Sequence, residues 1–562
     1  MDRSAKRQLV NIAASLLLAS AATVSLQKFM TVRRNPLGFD DAYMFLRYAH
    51  NIRHGFGFSW NLDGHHTYGP TSLLWSFVVL LLSYLPTDPW TKLALGSWLF
   101  SIAAVIAMAW AASANAQSLW LRSILRTLAL IVVPLAGTAV FEGNQFTGME
   151  TMLATTLCAI FVGLALLWHA GRVSPIVTGA IGLLLFLARP ESALVTVLLP
   201  LLLWLLLERP RPTLKSLFTL YGVFFAGVFI ELLACQLYFG TPLPLSVFMK
   251  GHQAYLGFRE VWYPSLLLIA FLSALQLFLA ALILLTRRRD LRLVLACLLP
   301  AAVVFAYLGT VTQIMGFDSR YYLPYAPLLV LPSLLLLDRW LTTPSPDPNA
   351  WPGHTLRNRA AFTTILLLGF LLFSSQAARA KFRQLEHGSH NEYDSAQLNI
   401  AATKALPIID WQTMMGSITN DLAVSLPPNA TLAATEVGYL GAHASQINII
   451  DLAGLNDTDI ALHGFNMSRF LARKPDLIWM PNYDYTYQRG IMFSDPAFLA
   501  QYDVYADAGN YGLAVRKDSP FRAQIDQQLA IFWQKLYPGT DPSAYLVHSV
   551  TWTGVKHTVT NY

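Results

Sequence analysis

The chain has 562 residues, of which 55% are hydrophobic and 13% charged, and it carries a net charge of +7 at neutral pH. Soluble domains hold about 25% charged residues, so this composition excludes a freely soluble enzyme and describes a polytopic α-helical membrane protein. The basic surplus lies in short loops between apolar runs, where it sets orientation and does not form a nucleic-acid patch.

Arg3, Lys6 and Arg7 precede an apolar run from Leu9 to about Leu26 without a convincing small-residue cleavage site. That pattern reads as an uncleaved signal anchor with its basic end in the cytoplasm. Apolar runs follow near 92–113, 127–141, 150–168, 174–188, 192–208, 216–239, 263–286, 293–310, 321–337 and 360–376. The shorter run Thr71–Leu85 begins after Gly69-Pro70 and ends before Pro86. A helix needs about 20 residues, and at least about 17, to cross the hydrocarbon core. If Thr71–Leu85 stays in the interface, Arg122, Arg126, Arg172, Arg209, Arg211, Lys215, Arg287–Arg289, Arg292, Arg339, Arg357 and Arg359 share a side with the N-terminus. If it crosses, they all move outside, against the positive-inside rule. The expected fold is therefore about eleven transmembrane helices plus interfacial helices over residues 1–376, with a first outer loop at 28–91. The three cysteines, Cys158, Cys235 and Cys297, sit inside apolar runs, which excludes a disulfide framework or a CxxC zinc site.

From 377 to 562 the composition becomes that of an extracytoplasmic soluble domain, beyond an inside Pro-rich linker at Thr343–Pro352. Trp411–Leu426 and Phe521–Leu536 read as amphipathic helices, the first stopped by Pro427-Pro428. Thr431–Leu440, Ile447–Leu452, Asp476–Met480 and Tyr511–Val515 read as strands, giving a small α/β domain.

The eleven-span topology gathers the polar exceptions on one outer face. Asp40 and Asp41 follow the first span directly, and paired acids beside a bilayer are costly unless hydrated, bonded or used. Close carboxylates push each other's proton affinities apart, so one becomes a general base near neutral pH. The competing reading is that one acid caps the following helix, and both readings can hold together. Lys250, Arg189 and Arg320 are candidate contacts for an anionic headgroup such as a phosphate; ion pairing with Glu191 and Asp318, or snorkelling of Lys250, is the alternative. Glu142 and Glu150 flank glycines in the second outer loop and could orient a sugar hydroxyl, or else cap a helix. Tyr43, Arg47, Trp60, Tyr68 and Trp75 are candidate substrate contacts, although interfacial aromatics are common belt residues. His50, His54, His65 and His66 lack the spacing of a metal site, and no cofactor or metal is expected.

Taken in order, Asp40-Asp-Ala-Tyr, Arg47-Tyr-Ala, Asn51, Gly55-Phe-Gly57, Trp60-Asn, Tyr68-Gly-Pro-Thr-Ser and Leu74-Trp75 resemble the first outer loop of the GT-C glycosyltransferases that use polyprenyl-phosphate sugars. The mycobacterial arabinofuranosyltransferase branch is closest in pattern. Thr147-Gly-Met-Glu150, Leu187-Ala-Arg-Pro-Glu191, Tyr238-Phe-Gly-Thr-Pro-Leu-Pro with Lys250, and Arg320-Tyr-Tyr-Leu-Pro324 continue the match. In the soluble part Thr435-Glu-Val-Gly-Tyr-Leu-Gly441 and Ile450-Asp-Leu-Ala-Gly-Leu-Asn-Asp457 fit as well. The resemblance implies an inverting transfer from a polyprenyl-phosphate sugar to an envelope glycan or protein, on the outer face of a bacterial cytoplasmic membrane. It also implies Asp40 as base, with Asp41 as the fallback. Gly69-Pro70 departs from the Gly-Tyr-Thr of related loops and leaves sugar and acceptor open. A transporter or flippase of lipid-linked glycans, or a non-catalytic assembly protein, are the rival classes. A transporter would bind near mid-membrane, where Glu231 is the notable charge.

Overall fold

A computed structural model of the chain describes residues 3–34, 38–136, 139–207, 212–251, 289–311, 319–342, 398–400, 406–482, 485–547 and 550–552. The apolar runs at 263–286 and 360–376 and the linker at 343–352 lie outside the described residues.

The first part is helical. Its elements are α1 (Arg3–Val32), α2 (Asp40–Arg53), α3 (Leu73–Leu82), α4 (Pro89–Asn115), α5 (Ile124–Ala136), α6 (Ala139–Asn144), α7 (Thr151–His169), α8 (Pro175–Ala188), α9 (Ala193–Leu206), α10 (Leu214–Phe239), α11 (Leu245–Gly251), α12 (Arg289–Leu308) and α13 (Pro327–Thr342). The starts are written in the sequence: Asp88, Ser174 and Thr213 each accept a backbone N–H from the first turn, with Pro89 and Pro175 at the first helical position. Among the described residues, five helices are long and apolar enough to cross a membrane: Gln8–Val32, Pro89–Asn115, Thr151–His169, Leu214–Phe239 and Leu291–Leu308. The protein is a membrane-embedded helical bundle. Helix α3 has ten residues, a rise of about 15 Å, and falls short of a crossing as its flanking glycine and prolines suggested.

Helix α7 is buried along nearly its whole length and forms the axis of the bundle. It packs on α4 through small residues; a Cβ on Gly163 would sit 2.6 Å from that of Ala111. Gly179 similarly lets α8 approach the Leu220 carbonyl of α10.

The C-terminal domain is built on a five-stranded sheet. In chain order the strands are β1 (Leu398–Ile400), β2 (Thr431–Ala434), β3 (Asn448–Asp451), β4 (Leu477–Trp479), β5 (Tyr502–Tyr505), β6 (Leu513–Arg516) and β7 (Val550–Trp552). The order is β3-β2-β4-β6-β5, with β2 parallel to β3 and β4, and β6 antiparallel to β4 and β5. Strands β1 and β7 form a separate antiparallel pair. Leu432, Ala434, Ile449, Leu477 and Val515 enter the large core shared with the bundle. Their neighbours Ala433, Ile450, Ile478 and Ala514 enter a second core on the opposite face. Both faces are covered, which is why these strands read as short apolar runs. The expected helix Trp411–Leu426 breaks after Ser417 into one irregular turn and a tight one, then stops before Pro427. The strand expected over Thr431–Leu440 ends at Ala434, and its second half becomes the helix Gly438–His443. Strand β5 was not among the strands expected from the sequence.

The sheet's β3 edge lies against the first loop of the membrane part. The Asn61 amide accepts from the Ile449 N–H at 2.8 Å and donates to the Ile449 carbonyl at 3.1 Å, standing in for a neighbouring strand. Trp60 donates its indole N–H to the same carbonyl at 3.1 Å. Gly438 sits so close to α2 that an added Cβ would overlap the Asp40 carbonyl. Gly438→Ala should therefore loosen the two parts and raise amide hydrogen exchange across residues 438–451 by at least about tenfold. Unchanged exchange there would contradict the packing described.

Candidate functional site

Both acids of the pair occupy the first turn of α2, whose N-cap is Phe39 with no side-chain bond. Neither acid caps the helix it begins. The Asp40 carboxylate instead accepts the N–H of Gly438 at 2.8 Å and of Tyr439 at 2.7 Å. It fastens the C-terminal domain to α2 and is not on the wall of the cavity beside it. Asp41 is on that wall.

The cavity measures about 70 Å³ and is lined by Asp41, Gly69–Thr71, Ser246, Arg320, Tyr321, Leu455 and Asn456, among others. A water needs about 10–15 Å³ by this measure, so there is room for a compact group of phosphate size. Pockets for drug-sized ligands run to about 300–1,000 Å³; a whole sugar-lipid does not fit without opening. The walls come from the first loop, the second loop through Met149, the stretch after α10, the Arg320 segment and the C-terminal domain. Loops assigned to one face from charge alone thus meet around one space.

Arg320 is 5% exposed. Its guanidinium faces the rings of Phe39 at 5.6 Å and Tyr321 at 5.3 Å, and its Nε and Nη1 have no hydrogen-bond partner among the described residues. Behind it Arg189, also buried, pairs with Glu191 at 2.7 Å and Glu150 at 3.6 Å and donates to the Arg320 carbonyl at 3.3 Å. Arg189 and Glu150 therefore neutralise each other and hold the Arg320 segment in place. The pairing expected of Arg189 with Glu191 is present. The alternative partner of Arg320, Asp318, lies outside the described residues, as do the side chains of Glu142 and Lys250.

The aromatic and cationic residues proposed as substrate contacts are placed elsewhere. Arg47 is 1% exposed and spends all five N–H donors, on the carbonyls of Trp60 (2.6 Å), Gly441 (3.1 Å), Ala444 (3.2 Å) and Ile447 (2.8 Å) and on the Asn61 amide oxygen (3.2 Å). With no acid beside it, burial lowers its pKa to about 9, and it stays charged at neutral pH. Tyr43 packs edge-on against Tyr439, and Trp75 donates to the Gly148 carbonyl at 3.0 Å. Tyr68 donates to Glu231 at 3.1 Å and stacks on Phe239. None of Tyr43, Arg47, Trp60, Tyr68 and Trp75 lines the cavity; Tyr43, Arg47 and Trp60 contact the C-terminal domain, and Tyr68 and Trp75 bond within the helical part. His50 and His54 stack on one helix face at 4.0 Å.

Asn456 and Asp451 escaped the sequence reading as individual residues. Asp451 is fully buried and accepts the Ala453 N–H and both the backbone and side-chain N–H of Asn456. Asn456 in turn accepts the Tyr48 hydroxyl at 3.0 Å. The only hint was their place in the motif Ile450–Asp457.

Residues 407–532 match a family described as a domain of unknown function, DUF8728. No curated protein matches the chain. The matched segment contains β2 to β6, hence the surface that grips α2, but less than half of the chain.

Burial raises the Asp40 carboxyl to about 6, against the two backbone N–H bonds and with a further push from Asp41. Burial likewise raises Asp451 to about 7, despite the bonds from Asn456 and Ala453. Both hold a proton more tightly in the folded protein than in the unfolded chain, where the carboxyl ionises near 3.8. The stability they contribute is full below that value and is lost as pH rises through 6 to 7. The melting temperature should rise as pH is lowered from about 8 to about 5, and Asp451→Asn should shrink that rise; a flat profile in the unaltered protein would contradict this.

Proposed function

We propose that the protein is an inverting glycosyltransferase that moves a sugar from a polyprenyl-phosphate donor to an acceptor hydroxyl in the cavity beside Asp41. One observation carries the reading: a buried guanidinium, Arg320, with unmade hydrogen bonds shares a cavity wall with a carboxylate. An Arg out of water without a hydrogen-bonding partner is costly, and an anionic ligand removes that cost. A phosphate fits the guanidinium fork.

In this reading Asp41 takes the proton of the acceptor hydroxyl. The oxygen attacks the anomeric carbon from the side opposite the phosphate, the carbon–oxygen bond to the phosphate breaks, and Arg320 holds the departing prenyl phosphate. Asp40, the family-matched acid, docks the C-terminal domain, and Asp41 serves as base. The resemblance to GT-C glycosyltransferases favours Asp40 as base; this division departs from it because Asp40 is bonded to Gly438 and Tyr439 while Asp41 lines the cavity. Five helices among the described residues are long and apolar enough to cross; the eleven-span reading adds the shorter helices α5, α8, α9 and α13 and the apolar runs at 263–286 and 360–376. The positive-inside pattern then puts the cavity and the C-terminal domain on the outer face of the cytoplasmic membrane. Arabinofuranose is the first sugar to try, with an envelope glycan or protein as acceptor.

The test is transfer of labelled sugar from a short prenyl-phosphate donor by purified full-length protein. Asp41→Asn should lower kcat by at least about 100-fold while the protein still inserts and folds, and Arg320→Ala should raise the donor KM. Full turnover in Asp41→Asn would sink its role as base.

A further inference from the structure

A second buried donor belongs to a residue of the same cavity wall. Ser246 is 6% exposed, its hydroxyl has no hydrogen-bond partner among the described residues, and it lines the wall together with Arg320. A buried hydroxyl without a partner is destabilising, so two such groups around one small space are an expensive arrangement for a site that binds nothing.

The element that carries Ser246 belongs to two parts of the protein at once. Helix α11 starts where the Leu245 N–H donates to the Tyr68 carbonyl at 2.8 Å. Its residues Leu245 and Met249, four apart and so on one face, are each 1% exposed and enter the second core of the C-terminal domain with Ile450, Leu452, Ile460 and Phe470. Met249 occupies the space beside Gly454, where an added Cβ would lie 2.5 Å from the sulfur and where φ is +74°. That glycine satisfies both a left-handed turn and a close approach. Leu455 and Asn456, the next residues, form the cavity wall.

We propose that Ser246 and Arg320 together hold the phosphoryl group of a lipid phosphate, and that the C-terminal domain completes this site by fixing α11. The proposal rests on the reading of the cavity as a prenyl-phosphate site and adds a ligand and a dependence to it. A phosphoryl group presents several terminal oxygens in different directions, so a planar guanidinium takes two and a hydroxyl from another element takes a third. Met44, Phe45, Met149 and Leu455 on the same wall supply an apolar surface for the first carbons of a prenyl chain, which a free ion does not use. The C-terminal domain is then part of the donor site, and not only a platform for the acceptor.

The test measures binding of farnesyl phosphate and of farnesol to the full-length protein in nanodiscs. Ser246→Ala should weaken farnesyl phosphate about tenfold, leave farnesol unchanged, and be largely rescued by Ser246→Thr. Met249→Ala, which alters α11 only where it meets the C-terminal domain, should weaken farnesyl phosphate as well. Inorganic phosphate at the same concentration should not displace the lipid. Equal affinity of Ser246→Ala and the unaltered protein would overturn the serine's role, and equal losses for farnesol and farnesyl phosphate would reduce it to packing. Unchanged binding in Met249→Ala would remove the domain's part, and displacement by inorganic phosphate would assign a free anion in place of a lipid. A protein that binds farnesyl phosphate through Ser246 yet transfers no sugar would remove the glycosyltransferase reading and leave this site standing. An active enzyme with an indifferent Ser246→Ala variant would do the reverse.

Discussion

A single buried guanidinium ties the two ends of this chain together. Arg47 sits 1% exposed on α2 and has no carboxylate partner among its hydrogen bonds; its charge is met by four carbonyls and one amide oxygen, three of them from residues 441–447. A charge satisfied entirely by fixed dipoles tolerates little displacement, because each lost bond leaves a buried polar group unpaired. The Asp40 carboxylate on Gly438 and Tyr439 and the Asn61 amide on Ile449 repeat the arrangement about two turns before and one loop after. The C-terminal domain is therefore held in one register on α2, and the cavity between them has a defined shape.

That register explains why two adjacent acids have different fates. Consecutive helical residues point about 100° apart, so α2 cannot offer both carboxylates to the same neighbour. Asp40 faces the domain and Asp41 faces the cavity. The ion-pair cluster of Arg189, Glu150 and Glu191 keeps the Arg320 segment in position from behind, and Arg320 itself is left with donors to give. The bonds of Arg47, Asp40 and Asn61 that join the two parts are made, while Arg320 and Ser246 on the cavity wall are among the buried side chains with atoms left unbonded.

Much of the fold was legible because it rests on periodicity and charge. The apolar runs, the short stretch before Pro86 and the capped helix starts depend on local sequence, and the helices follow them closely. That the first loop, the second loop, the stretch after α10 and the Arg320 segment belong together was legible from the positions of basic residues, and they meet at one cavity. What could not be read was which polar residues face a cavity and which face a partner segment. Arg47, Trp60 and Tyr68 have the composition of a sugar site, yet their partners lie 389 to 400 residues away for the bonds from Arg47 and Trp60 to the sheet domain and 163 away for Tyr68. Nothing local distinguishes an aromatic that stacks on substrate from one that closes a domain joint. The reverse holds for Ser246: a serine after two prolines looks like a turn residue until the domain that grips its helix is in place.

The most direct measurement is a structure of the full-length protein in nanodiscs with farnesyl phosphate bound. The account predicts the phosphoryl group within about 2.7–3.2 Å of the Arg320 guanidinium and the Ser246 hydroxyl, beside Asp41, with Asp40 still joined to Gly438 and Tyr439. A phosphate held anywhere else, or one bound at Arg320 while the C-terminal domain has left α2, would contradict it.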